Sequence, residues 1–219
     1  MLIDLSHTIR AGLVTYPGLP APTITSHLTR EDSRRVYAPG TEFAMDIITM
    51  IGNTGTYLDS PFHRYGDGGD LASLDLETLV ELPTVTVHLR ELGRRGVDAA
   101  DLPADIPAGH AVLLDTGGDR HFGTEAYAID APFLTEAGAR HLIARGVALV
   151  GIDAVNIDDT SADAAGSRPA HTLLLGAGIH VVEHLTGLDA VPARGATFTA
   201  VPPKVEGFGT FPVRAYARI

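Results

Sequence analysis

Residues Thr135–Asp153, TEAGARHLIARGVALVGID, constrain the fold more tightly than any other stretch of the chain. Thr135 is a good N-cap residue, Arg145 stands near the end of the run, and Gly146 supplies a C-cap. Together they predict a helix over Thr135–Arg145. Directly after it, Ala148–Asp153 is a short apolar run closed by an aspartate, which reads as a buried strand, as does His110–Gly117. A helix delivered straight into a buried strand is an α/β unit. In Thr84–Leu89, Val85, Val87 and Leu89 alternate with polar residues, the period of a half-buried strand. Phe43, Met45 and Ile47 repeat that alternation, and Ile48 and Met50 suggest burial on both faces. So many strands predict an α/β fold with a mixed sheet rather than a fully parallel one.

With 219 residues and 45% hydrophobic content, the chain can bury a sizeable core, expected as one domain over residues 1–219. A formal charge of −11 argues against nucleic acid and anionic membrane surfaces, leaving small molecules as the expected partners. No apolar run reaches the roughly 18 residues that suggest a membrane helix. The start, Met1–His7, lacks the basic head and long apolar core of a signal peptide, so a cytoplasmic location is expected. No cysteine is present, and metal ligands would have to come from His, Asp and Glu. Two segments read as irregular. Pro20–Gly40 reads as a loop, edge strand or subunit contact, and Asn156–Pro169 as a mobile lid ahead of His171.

Asn53–His63, NTGTYLDSPFH, packs an amide, a phenol, a carboxylate and an imidazole into one stretch. On an extended backbone Tyr57 and Asp59 share a face, and Pro61 then turns the chain so that His63 can return towards them. Far downstream, His171 and Glu183 flank the Gly-rich turn Leu175–Ile179. Asp59, His171 and Glu183 make a three-ligand set for a catalytic divalent metal with a position left for water, and Asn53 could add a weaker oxygen. His63 would be the proton shuttle. The same letters also read as a turn, with Asp59 and His63 a capping pair and Glu183 a structural carboxylate. His7 could line the pocket or cap a turn. His88, His110, His121, His141 and His184 read as structural, and His180 should face away from Glu183 on a strand.

Taken in order, these motifs resemble the cyclase family, whose best-known members are bacterial kynurenine formamidases, or arylformamidases. Ile3–His7 with Tyr16-Pro-Gly18 is similar to the family's opening. Gly55–His63 is similar to its central signature, Gly-Thr-His-x-Asp-x-Pro-x-His. Leu149–Asp153, His171 with Leu175–Ile179, Glu183, Pro202-Pro-Lys204 and Gly209–Val213 resemble its later blocks. The resemblance implies the swivelling β/β/α domain with a mixed sheet, in a homodimer or homotetramer. It implies that Asp59, His171 and Glu183 are metal ligands and that His63 is catalytic. Asn53 and Tyr57 stand where the family has two further ligand histidines. An amide oxygen is a weak ligand and a neutral phenol a poor one, so one divalent ion (Mn²⁺, Mg²⁺ or Zn²⁺) is expected, or none, rather than a zinc pair.

The implied activity is hydrolysis of a C–N bond, formamide-like or cyclic amide, in a small metabolite, with Tyr57 donating to the tetrahedral oxyanion. Metal-free cyclisation or dehydration by His63 and Asp59, and non-catalytic metabolite binding, are the alternatives. An aromatic substrate would want aromatic walls. Only 6% of the chain is aromatic, with Tyr16, Phe62, Phe208 and Phe211 as the candidates.

Overall fold

The computed structural model describes residues 1–219. Its strands are β1 Leu2–Asp4, β2 Thr23–Leu28, β3 Met45–Thr49, β4 Tyr57–Asp59, β5 Leu82–His88, β6 Gly96–Val97 and β7 Ala111–Asp115, followed by β8 Phe133–Leu134, β9 Leu149–Ile152, β10 His180–Glu183, β11 Thr197–Thr199, β12 Thr210–Pro212 and β13 Tyr216–Arg218. The α-helices are few and short: α1 Arg30–Ser33, α2 Glu136–Ala144 and α3 Pro169–Gly176.

Nine strands form one mixed sheet in the order β1-β13-β11-β5-β7-β9-β10-β4-β12. Its centre, β5-β7-β9-β10, is parallel, and both flanks are antiparallel. The sheet curls until Ser6, just past β1, bridges Leu185, just past β10.

Alternation along the central strands sorts side chains into two cores. Ala111 and Leu113 of β7 join Leu58, Val182, Phe198 and Ala217 inside the curl. Val112 and Leu114 point the other way, against Ala139 and Leu142 of α2 and Ala170 and Leu174 of α3. The helix expected at Thr135–Arg145 is α2, where the Thr135 side chain accepts from the Gly138 N–H and Gly146 takes a positive φ of 66°. The strands expected around Val85, Val112 and Val150 are β5, β7 and β9.

Two expectations are corrected. Burial on both faces of the Phe43–Met50 strand is not what forms: every residue of β3 is exposed, and it pairs only with β2 in a hairpin outside the main sheet. Asn156–Pro169 is fastened at its start rather than free, since Leu134 N–H donates to Ile157 O and Asp158 bonds to α3.

Candidate active site

Sheet register builds the site. β4 lies between β10 and β12, with Tyr57 opposite Glu183 and Asp59 opposite Thr210. Both register pairs are hydrogen-bonded through their side chains, as expected for directly opposed residues a few ångströms apart. Beyond Asp59, Ser60 N–H donates to Gly209 O at 2.8 Å, and Pro61 opens a single 3-10 turn that carries His63 back over its own strand. Close packing on Thr210 requires glycine on both sides. A Cβ on Gly209 would strike the His63 backbone, and one on Gly52 would strike the Thr210 carbonyl.

Around Asp59 the groups are arranged with lone pairs to spare. Asp59 is fully buried. Its Oδ1 accepts from Thr210 Oγ1, while its Oδ2 has no hydrogen-bond partner. A hydroxyl has one proton, and Thr210 gives it to Asp59. The 2.7 Å contact between Thr210 Oγ1 and His63 Nδ1 is therefore His63 donating. In the neutral ring this puts the proton on Nδ1 and leaves the Nε2 lone pair free, on a side chain that is 36% exposed.

His171 enters from α3. Its Nδ1 lies 2.7 Å from Asp158 Oδ2, and the two Asp158 oxygens also accept from the Ala170 and His171 N–H groups at 2.6 and 3.0 Å. So fixed, His171 Nε2 stands 3.5 Å from Asp59 Oδ2 and 3.6 Å from Glu183 Oε1. Burial alone would lower the His171 pKa, but the Glu183 charge, the Asp158 hydrogen bond and Asp59 push it up to about 10. The convergence of carboxylates calls for positive charge at this point.

On the other side of Glu183 every polar atom is paired. Tyr57 donates to Glu183 Oε2 at 2.6 Å, and Ile157 N–H donates to Oε1 at 2.5 Å. The same phenol oxygen lies 3.2 Å from His184 Nε2, and Tyr127 OH lies 2.8 Å from His184 Nδ1. Burial lowers the His184 pKa to about 3. Burial likewise raises the Tyr57 pKa well above that of a free phenol, with the Glu183 and Asp59 charges adding to the shift.

The structure brings Asp59, His63 and His171 together, with one ligand-type atom from each lying within 4.8 Å of the others. It places Glu183 beside His171 and the Asn53 amide at the Tyr57 phenol. Three contributors escaped sequence reasoning: Asp158, Thr210 and His184. Thr210 lies in a stretch with a visible pattern, Gly209–Val213. Asp158 carried no signal, since it lies twelve positions ahead of the Ala170 N–H it accepts from. His184 carried none beyond its neighbour Glu183. His88 pairs with Asp115 at 2.7 Å, and His180 meets Thr78 at 3.1 Å, away from the site. His7 stacks on Phe122 at 3.5 Å between ring centroids.

A family model described as "Putative cyclase" matches residues 3–159. The chain belongs to that family. Kynurenine formamidase of Geobacillus thermodenitrificans is 31% identical over 217 residues, covering 99% of this chain and 96% of the relative. Among solved structures, isatin hydrolase A from Ralstonia solanacearum is 25% identical with a TM-score of 0.82, covering 99% of this chain and 91% of that one. A structure described as "potential metal-dependent hydrolase with cyclase activity" superposes with a TM-score of 0.77 at 24% identity, covering 99% and 96%.

Proposed function

We propose that this cyclase-family chain hydrolyses a carbon–nitrogen bond, formamide-like or cyclic amide, in a small molecule, with one divalent ion. The observation that carries the reading is the unpartnered, fully buried Asp59 Oδ2 facing His171 Nε2 at 3.5 Å. A buried carboxylate oxygen without a partner is costly, and a cation seated there would satisfy it. Asp59 Oδ2 and His171 Nε2 would hold the ion, with Glu183 Oε1 beside them. One imidazole among carboxylate oxygens suits Mn²⁺ or Mg²⁺ as well as Zn²⁺. Similarity to a formamidase and to a hydrolase of isatin supports the bond type.

Such an ion supplies Lewis-acid polarisation of a carbonyl and lowers the pKa of water. The protein's own groups do the rest. His63 Nε2 accepts the proton of the attacking water and returns it to the departing amine, while Asp59 through Thr210 holds the imidazole in the tautomer this requires. Asp158 fixes His171 by its Nδ1 proton, as carboxylates do for ligand histidines. Tyr57 spends its proton on Glu183 in this arrangement, so it positions that carboxylate rather than donating to substrate. The exposed hairpin β2–β3, with Ile24, Met45, Ile47 and Ile48 at its surface, supports a homo-oligomer, because an isolated two-stranded sheet is marginal in water.

The test is elemental analysis with assays on formamides and cyclic amides, before and after chelation. One ion per chain is expected, with activity lost on chelation and restored by metal. His171→Ala should lose the ion and the activity together. Activity that survives chelation and is lost only in a His63 variant would select metal-free acid–base chemistry by the Asp59–Thr210–His63 unit instead.

A further inference from the structure

The cleft in front of His63 and His171 is unlike a pocket for an aryl group. It encloses 660 Å³, and Leu173 is the one hydrophobic residue among the twelve that line it. None of Tyr16, Phe62, Phe208 or Phe211 reaches it. Sites for apolar ligands are walled mainly by apolar and aromatic side chains, so this one selects for something else.

Three arginines line it: Arg64, Arg140 and Arg168. Glu136 is the one carboxylate residue of the lining, and it is held by Arg140 at 3.0 and 2.7 Å. Arg168 has only backbone carbonyls, giving Nη1 to Asp159 O at 3.1 Å and Ser167 O at 2.8 Å. The nearby Asp159 carboxylate is committed to Arg95. Arg64 gives Nε to Thr172 Oγ1 at 3.3 Å and meets no acid. Two guanidinium groups are thus uncompensated at the cleft of a chain whose net charge is −11. Arg34, Arg90, Arg94, Arg95, Arg214 and Arg218 pair with carboxylates; Arg145, like Arg168, gives its side chain to a backbone carbonyl, but it lies outside the cleft. Arg64 adjoins His63 in sequence, and Arg168 precedes the helix that carries His171. Both flank the reacting position.

Resting on the hydrolase reading above, we infer that the substrate is a small polar amide bearing a carboxylate, and that Arg64 and Arg168 are its specificity-determining residues. A guanidinium fork matches a carboxylate and binds it through two parallel hydrogen bonds. Local cations also offset the repulsion that an anion meets on approaching an acidic protein. With the carboxylate clamped at the rim, the scissile amide of an N-formyl amino acid, or of a cyclic amide carrying an acid group, reaches towards Asp59 and His63.

The experiment compares N-formylalanine with its methylamide, which keeps the shape and removes the charge, on the metal-loaded enzyme. The acid is expected to have a kcat/KM at least about tenfold higher, with the advantage shrinking as salt is added. Arg168→Gln and Arg64→Gln should each bring the acid/amide ratio towards one, and Arg168→Lys should recover part of it. Equal turnover of acid and amide by the parent enzyme would overturn the inference while leaving the hydrolase reading standing. If neither is hydrolysed, calorimetric binding of N-acetylalanine against its methylamide decides the carboxylate site alone, and the hydrolase reading rests on the broader formamide and cyclic-amide assays. Preference for the acid, lost in Arg168→Gln, supports the site; equal binding overturns it.

Discussion

Two halves of one site begin two residues apart on β4 and end in opposite conditions. From Asp59, the groups run through Thr210 to His63 and across to His171, and they finish on atoms without a protein partner: Asp59 Oδ2 and, beyond the bonded Nδ1, the Nε2 of His63. From Tyr57, they run through Glu183 and His184 to Tyr127 and finish with every side-chain polar atom paired. Both halves are buried and polar, and both contain histidine and a carboxylate. What separates them is satisfaction. A closed network rigidifies and specifies the core, whereas a buried atom left unpaired is poised for a ligand.

The comparison is broken most sharply at His63. If it is the base of the open half, His63→Gln should lower kcat by about 10²- to 10⁴-fold while elemental analysis still finds the ion. Loss of the ion together with activity would make His63 a ligand instead, which its position within 4.8 Å of the Asp59 and His171 donors permits. A smaller effect is expected at Thr210. Thr210→Val keeps the shape but removes the hydroxyl that reads both Asp59 and His63, and a loss of about 10- to 100-fold in kcat/KM is expected, as for outer groups that orient a site. Unaltered steady-state kinetics would show that the relay through Thr210 does not set the His63 tautomer.

Within the closed half, Tyr57→Phe removes the only side-chain donor to Glu183 Oε2. Leaving that buried acceptor short should cost about 1–3 kcal/mol of stability, read by urea unfolding. Metal content should not change, because the phenol bonds Glu183 Oε2, whereas Oε1 is the oxygen beside His171. A variant that gained or lost metal would merge the two halves into one.

How much of this was legible beforehand follows the same division. The α2–β9 unit declared itself because caps and apolar runs are local signals. Tyr57, Asp59 and His63 declared themselves because strand alternation and Pro61 set their directions within a few residues. The β2–β3 hairpin misled, since its alternation of Phe43, Met45 and Ile47 is real but points into solvent rather than a core of this chain. Thr210 and Asp158 were hidden because their roles exist only through pairing at a distance: β12 meeting β4 in register, and a carboxylate folding onto the start of α3. The closed half was hidden for a further reason. Tyr57 stands out in sequence as a departure from the family signature, yet only its contacts with Glu183 and His184 show what it joined.

The last and smallest effect tests whether the closed half stays proton-locked. His184 is held neutral, since burial, with the nearby His7 adding to it, drops its pKa from 6.5 to about 3. An unfolded chain binds that proton below pH 6.5, whereas the folded one binds it only near pH 3. The unfolded state therefore carries more protons across this window, and stability is full above it and falls as the pH drops, by up to about 1.4 kcal/mol per unit. His184→Gln removes the titration. Its unfolding free energy should decline less between pH 7 and pH 5 than that of the parent, by about 2 kcal/mol. His7 and His180, whose pKa values burial also lowers to about 4, weaken both proteins in the same direction and cancel in the difference. Parallel pH profiles for the two proteins would mean that His184 takes up its proton in the fold. The Tyr57–His184–Tyr127 chain would then be an open proton path to Glu183 rather than a closed support.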